Sequence, residues 1–91
     1  MDKEYNVTHF PDRNRFETTV EGVTAFVQYR LADNYLDIIH TIVPKQIEGR
    51  GIASILVGHA YDYALENGLK PMATCSYAVV WLMRHPEYVK E

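Results

Sequence analysis

The residues best suited to chemistry lie in one short run, Gln46-Ile47-Glu48-Gly49-Arg50-Gly51-Ile52-Ala53. It follows the apolar segment Leu36-Asp37-Ile38-Ile39-His40-Thr41-Ile42-Val43, which Pro44 closes. After it, Ile52, Ile55, Leu56, Ala60, Tyr63 and Ala64 recur at helical spacing. The two glycines therefore stand where a strand hands over to a helix. Glycine there lets the backbone pass close to a ligand, and the first N–H groups of the helix have no partner in the chain. Unpaired donors at the positive end of a helix dipole form an anion site, most often for phosphate. The run predicts a site for a phosphorylated ligand.

Three glycine-rich patterns compete for this signal. A P-loop requires G-x-x-x-x-G-K-[ST], and no such string exists in the chain. A dinucleotide fingerprint requires G-x-G-x-x-G/A, whereas Gly49-Arg50-Gly51-Ile52-Ala53-Ser54 ends in serine. It also wants an acidic residue about 20 positions on, where this chain has Gly68, Leu69, Lys70 and Pro71. The pattern Q/R-x-x-G-x-G/A is met in full by Gln46, Gly49 and Gly51. In this the chain resembles the GNAT superfamily of acyl-CoA-dependent N-acetyltransferases, whose pyrophosphate-binding motif that is.

The resemblance reaches beyond the loop, over roughly residues 13 to 90. Val43-Pro44, Asn67-Gly68-Leu69-Lys70, Cys75 and His85-Pro86-Glu87-Tyr88 are similar to a small, single-domain branch of GNAT-like proteins. Members of that branch often carry His-Thr-Glu-Val-Pro where this chain has His40-Thr41-Ile42-Val43-Pro44, so any role of that glutamate is absent here. The chain is shorter than full-length GNAT enzymes. The resemblance implies a fold truncated at the N-terminus, without the helices that help shape the acceptor pocket in larger members.

Composition is consistent with one domain over residues 1–91. With 47% hydrophobic residues the chain can bury one modest core. A formal charge of −3, with dispersed lysines and arginines, argues against a nucleic-acid partner. The single cysteine excludes an internal disulfide and fits a reducing compartment. No apolar stretch approaches the ~18 residues of a membrane span, and Met1-Asp2-Lys3-Glu4 does not begin a signal peptide. The expectation is a soluble cytoplasmic protein with no membrane partner.

The elements that must position the loop follow from periodicity. Residues 13–20 read as a strand, Glu21-Gly22 as a turn, and residues 23–31 as a half-buried strand in which Phe26 breaks the alternation. Asp33-Asn34 turns the chain into a third strand over 35–43, apolar enough to be central. A helix over 51–66 stops at Asn67-Gly68, a strand covers 70–75, and a second helix covers 77–84 with Ser76 as N-cap. Residues 4–10 add an edge strand. Antiparallel strands followed by a strand–helix–strand crossover predict an α+β fold: a mixed, mainly antiparallel sheet covered by two helices.

The resemblance then implies a site. Backbone donors from Gly49 to Ala53 (Gly49, Arg50, Gly51, Ile52, Ala53) would hold the coenzyme A pyrophosphate, with Arg50 and Ser54 adding side-chain contacts. In GNAT folds the pantetheine arm lies between the strand before the loop and the strand after the helix. That gap opens here between Ile42-Val43 and Thr74-Cys75. The N–H of Ile42 or Val43 would polarise the thioester carbonyl as an oxyanion hole does.

Three side chains are candidates for the chemistry. Cys75 ends a strand just before a helix N-terminus, where the dipole favours thiolate; a small buried hydrophobe is the plainer role. His40, on the central strand, titrates in a range suited to a general base, against an ordinary packing role. GNAT enzymes often protonate the departing thiolate with a tyrosine, for which Tyr77 and Tyr88 are eligible, Tyr77 being better placed. His59 reads as part of the helix's core edge, and His9 and His85 carry little signal. The four histidines and one cysteine show no metal spacing. Two functions follow: transfer of an acetyl group from acetyl-CoA to a small-molecule or protein amine, or a CoA-binding module without turnover, acylated at Cys75.

Overall fold

The chain is organised around one central strand that is antiparallel to its neighbour on one side and parallel on the other. The computed structural model describes residues 5–89. Its elements are β1 (Thr8–Phe10), β2 (Arg15–Val20), β3 (Val23–Ala32), β4 (Tyr35–Ile42), α1 (Ile52–Glu66), β5 (Lys70–Ala73) and α2 (Ser76–Arg84). The sheet order is β1-β2-β3-β4-β5, antiparallel up to β4, with β4 and β5 parallel. The fold is thus α+β, as the order of periodicities predicts.

Most boundaries follow from local chemistry. Glu21 and Gly22 both take positive φ, 53° and 78°, the geometry that a two-residue hairpin turn needs to match strand twist. At the end of α1, the Leu69 N–H reaches the Ala64 carbonyl at 2.8 Å and the Gly68 N–H reaches Leu65 at 3.3 Å. With Gly68 at φ 72°, this is the Schellman stop that Asn67-Gly68 announces. The first strands start later than expected, because Pro11–Arg13 form a 3₁₀ turn and Asn14 is left-handed. The edge strand expected over 4–10 is Thr8–Phe10 in the structure, and Glu4 lies outside the described residues. Ser76 is the first residue of α2 and not its N-cap; Cys75, in extended backbone, holds that position.

Side-chain alternation sends the two sheet faces to different environments. On one face Phe16, Ala25, Val27, Tyr29, Leu36 and Ile38 meet Ile52, Leu56, Val57, Ala60, Tyr61 and Ala64 of α1. Relative to the sequence reading, the buried stripe of α1 is broader: Val57 and Tyr61 are fully covered, while Ile55 and Tyr63 are only half-buried. The cause is α2, whose Trp81 lies 5.7 Å from Tyr61 and passes close over Gly58. The opposite face carries the cross-strand pairs Arg15↔Gln28, Glu17↔Phe26 and Gln28↔His40. Phe26 breaks the alternation because its ring is on this face, under the Arg15 guanidinium at 3.7 Å.

Two buried polar contacts tie the layers together. Tyr61 donates its hydroxyl to the Met72 carbonyl of the edge strand β5. Burial, then Asp37 and Cys75, pushes its ionisation well above the ordinary tyrosine range, so it remains a neutral donor. His9 stacks on Phe16 at 4.1 Å, meets Tyr63 edge-on at 4.5 Å and shares a 2.6 Å hydrogen bond with the Tyr29 hydroxyl. Burial lowers the pKa of His9 below 6.5.

Tyr61→Phe should lower stability by about 0.5–1.5 kcal/mol, the usual net worth of one hydrogen bond, as read from urea denaturation. For His9 the unfolded chain takes up its proton first as pH falls, so this contribution is full above the unfolded pKa and is lost as pH drops through it. The melting temperature should therefore fall from about pH 7.5 to about pH 5. His9→Gln, which keeps a hydrogen-bonding group but does not titrate there, should flatten that slope in a pH series of thermal melts.

Candidate functional site

The site is built where β4 and β5 part. Their ladder ends at Ile38↔Ala73. Beyond that rung the Thr74 and Cys75 N–H groups both point at the Ile38 carbonyl, each at 3.0 Å. Two donors on one acceptor turn the second strand away, and Ile39 to Ile42 run on along β3 with no partner on β5. β5 is therefore shorter than the expected 70–75, and the missing rungs leave a gap in the β4–β5 ladder, with Ile42 and Val43 beyond it on the β4 side and Thr74 and Cys75 on the β5 side. Across it Cys75 Sγ still comes within 3.4 Å of Thr41 Oγ1.

At the end of β4, Pro44 leads into a 3₁₀ turn, Lys45–Ile47, whose Ile47 is fully buried and anchors the loop to the core. The chain then passes Gly49 and Gly51 at φ 79° and 77° and enters α1 at Ile52. A Cβ on either glycine would meet nothing within 4 Å. Their need for glycine is therefore conformational, and the space above the loop is open. Gly51 offers no side-chain cap and the first turn of α1 holds no acidic residue. The leading N–H groups of α1 have no helical acceptor, leaving a concentration of positive potential.

The side chains around this loop are already engaged. Arg50 forms a forked pair with Glu21, Nη1 to Oε2 at 3.0 Å and Nη2 to Oε1 at 3.3 Å. The bond to Glu21 holds its guanidinium more firmly protonated than usual. Ser54 accepts the Trp81 indole N–H at 3.0 Å, which fixes the first turn of α1 against α2. Gln46 is exposed beside buried Ile47, and Ala53 is half-buried in the first turn of α1.

The three candidates for chemistry are not brought together. The Cys75 thiol faces Thr41, Sγ to Oγ1 at 3.4 Å. Thr41 pairs with Val27 on the face covered by α1, whereas His40 pairs with Gln28 on the opposite face and is exposed. An extra residue in β4 at the Gln28/Tyr29 irregularity sets this phase. The sheet thus stands between His40 and Cys75, and a thiol–imidazole pair is excluded. Tyr77 is in the first turn of α2 and 41% exposed. Tyr88 is committed elsewhere: its hydroxyl donates to Asp62 at 2.7 Å, a bond that pushes its pKa up to about 12. His59 is exposed rather than part of the core edge.

Sequence reasoning passed over Asp37. It is on β4, one residue before the rung where the strands separate, and it is completely buried. Its Oδ2 accepts Thr74 Oγ1 at 2.8 Å and the Arg30 guanidinium at 3.0 Å, while its Oδ1 has no partner. Buried carboxylate oxygens are normally satisfied, so the unpartnered Oδ1, next to the last rung of the β4–β5 ladder, is the unusual group here. A lone acidic residue within an apolar strand was the available signal. Among the described residues no group of His, Cys, Asp and Glu could hold a metal ion, and no helix is long and apolar enough to cross a membrane.

Comparison with known proteins places this geometry in a family. The chain is 32% identical to mouse protein NATD1 over 83 residues, covering 88% of this chain and 76% of that protein. The human NATD1 protein gives the same identity over 83 residues, with 74% of its length covered. A GCN5-like protein from Staphylococcus aureus, solved by NMR, superimposes with a TM-score of 0.72 at 29% identity, over 91% of this chain and 82% of that one. Residues 15–91 match the GCN5-related N-acetyltransferase family. By sequence, by the parted β4–β5 pair and by the glycine loop at the head of α1, the chain belongs to that family.

Proposed function

We propose that this protein binds coenzyme A at the Gly49–Ser54 turn and transfers an acetyl group from acetyl-CoA to a primary amine, on a small molecule or an exposed protein residue. The observation that carries the reading is the coincidence of two features on one strand: β4 loses its β5 partner at Ile38 and then runs directly into a two-glycine loop that opens a helix. The loop fits phosphate, with left-handed glycines, open space above them and unpaired N–H groups. The gap fits an extended arm, since Ile39 to Ile42 lack a β5 partner. The coenzyme supplies an activated acetyl thioester.

The chain's own groups supply the rest. The amides of Ile42 and Val43 border the gap, where a donor would stabilise negative charge developing on the thioester oxygen. One N–C bond forms and one C–S bond breaks, so the nitrogen must shed a proton and the sulfur must gain one. For the first the chain offers Asp37, whose Oδ1 is unpartnered while Arg30 and Thr74 hold the other oxygen. Because the carboxylate is completely buried, the end of the β4–β5 ladder must open before it takes the proton. Tyr77, exposed at the entrance of α2, supplies the second. His40 is on the same face as Asp37, where its part is limited to the approach of the acceptor. The second reading, a carrier acylated at Cys75, draws on the thiol's position across the gap from Thr41.

Steady-state thiol release from acetyl-CoA in the presence of amines separates these readings. Asp37→Asn should lower kcat by roughly 10²–10⁴-fold, the usual share of general-base catalysis, while CoA affinity by calorimetry stays within about threefold. Cys75→Ser should keep turnover within about threefold; loss of turnover in that variant, with acetyl found on Cys75 of the native chain, would support the carrier instead. Gly51→Val should weaken CoA binding and also destabilise the fold by about 1–2 kcal/mol, because a β-branched residue is strained at positive φ. CoA, but not NAD, should raise the melting temperature of the native protein.

A further inference from the structure

One contact at the loop points to more than binding. Arg50, between the two left-handed glycines, is held by a carboxylate from a turn 29 residues earlier in the chain. A guanidinium fork takes carboxylate and phosphate in the same bidentate geometry, so Glu21 stands where an anionic ligand would bind. Its backbone gives a second, independent sign. Glu21 takes the first central position of a two-residue turn at φ 53°, where Asn, Asp or Gly fit best. A residue kept at a strained position serves something outside the hairpin, and its carboxylate serves Arg50. The pair is at the protein surface, with the Glu21 side chain 68% exposed and that of Arg50 29% exposed. Exposed pairs of this kind contribute little to stability and exchange readily.

We propose that Glu21 is a built-in competitor at the phosphate site: its carboxylate occupies Arg50 in the ligand-free chain, and a phosphate group arriving at the glycine loop displaces it. The proposal rests on the coenzyme reading above and adds to it. Glu21 sets the affinity threshold of the site by making each ligand exchange one anion for another. Ligands with too little charge to displace it gain nothing from Arg50, so the pair also selects for phosphorylated ligands. No covalent bond is made or broken; the guanidinium exchanges the Glu21 carboxylate for a phosphate.

The test is a calorimetric titration of the native protein and of Glu21→Gln with CoA, 3′-dephospho-CoA and inorganic pyrophosphate. Removing the competing charge should tighten CoA binding roughly two- to fivefold, the range that an exposed ion pair spans, and the gain should vanish in an Arg50→Ala background. Glu21→Asn, better suited to the turn, should tighten binding equally while raising the melting temperature. A merely structural Glu21 would move the melting temperature alone. Where the native protein binds CoA, unchanged or weaker CoA binding in both Glu21 variants overturns the proposal; where no form binds CoA, unchanged pyrophosphate binding overturns it. A gain that persists with 3′-dephospho-CoA assigns Arg50 to the pyrophosphate, and a gain lost with it assigns Arg50 to the 3′-phosphate; either supports the exchange. If neither protein binds CoA but Glu21→Gln tightens pyrophosphate, the exchange stands and the coenzyme assignment falls.

Discussion

The Ile38 carbonyl, taking the amides of both Thr74 and Cys75, is the contact on which the rest depends. A parallel ladder that continued would fill every rung between β4 and β5 and leave a closed sheet. Doubling two donors onto one acceptor costs the sheet its remaining rungs. In return the second half of β4 keeps its antiparallel neighbour while its other edge has no partner strand. The same turn sends the chain from β5 into α2 at Cys75. One irregularity thus creates the gap, starts the helix that walls it, and brings Thr74 to the buried carboxylate of Asp37. Such a gap needs outside support. Tyr61 supplies it by holding the Met72 carbonyl from α1, and Pro71 removes a donor from the same edge.

What was legible in the sequence was whatever one residue type decides locally. Gly49 and Gly51 announce left-handed backbone, Asn67-Gly68 announces a helix stop, and Glu21-Gly22 announces a hairpin; all three appear where they stand. Strand order followed as well, since antiparallel neighbours need only short turns and the single long helix forces a parallel return. The whole sheet and both helices were readable on that basis. Side-chain facing was not. One extra residue in β4 shifts the phase of everything after it, so that Thr41 faces α1 and His40 faces away. Nothing in Ile38-Ile39-His40-Thr41 marks which residue is the extra one, because isoleucine suits either face. The two candidates His40 and Cys75 are thereby left on opposite sides of the sheet.

Asp37 escaped for the opposite reason. In a strand apolar on both faces a single carboxylate reads as the residue that happens to meet water. The structure buries it instead, through Arg30 on β3 and Thr74 beyond β5. Arg30 is its cross-strand neighbour in the β3–β4 hairpin, but Thr74 is 37 residues away, and that partner no local spacing reveals. The charge tolerates burial because it is paired, and it is conspicuous because only one of its oxygens is. The outcome changes the weight of the chemical candidates. Among the described residues the thiol's hydrogen bond goes to a threonine hydroxyl and not to a base, whereas the carboxylate has one oxygen fixed and one unused.

The position of α2 decides whether that carboxylate and the glycine loop act on one ligand. α2 is nine residues long, shorter than helices that are stable alone, so packing must place it. Trp81 does most of this: it stacks on His85 at 3.8 Å, meets Tyr88 edge-on at 4.9 Å and donates to Ser54 in the first turn of α1. Tyr88 completes the tie by reaching Asp62 further along α1. The two helices therefore move as one body, and that body includes both the N–H groups after Gly51 and the Cys75–Tyr77 entrance of α2. Hydrogen bonds from Thr74 and Cys75 to Ile38 lock the same body to β4. The head of α1, the end of the β4–β5 ladder and Asp37 are thus linked through these contacts. The aromatic pile around Trp81 thus helps fix the geometry of the candidate site: loosening Trp81 would free α2 from the first turn of α1.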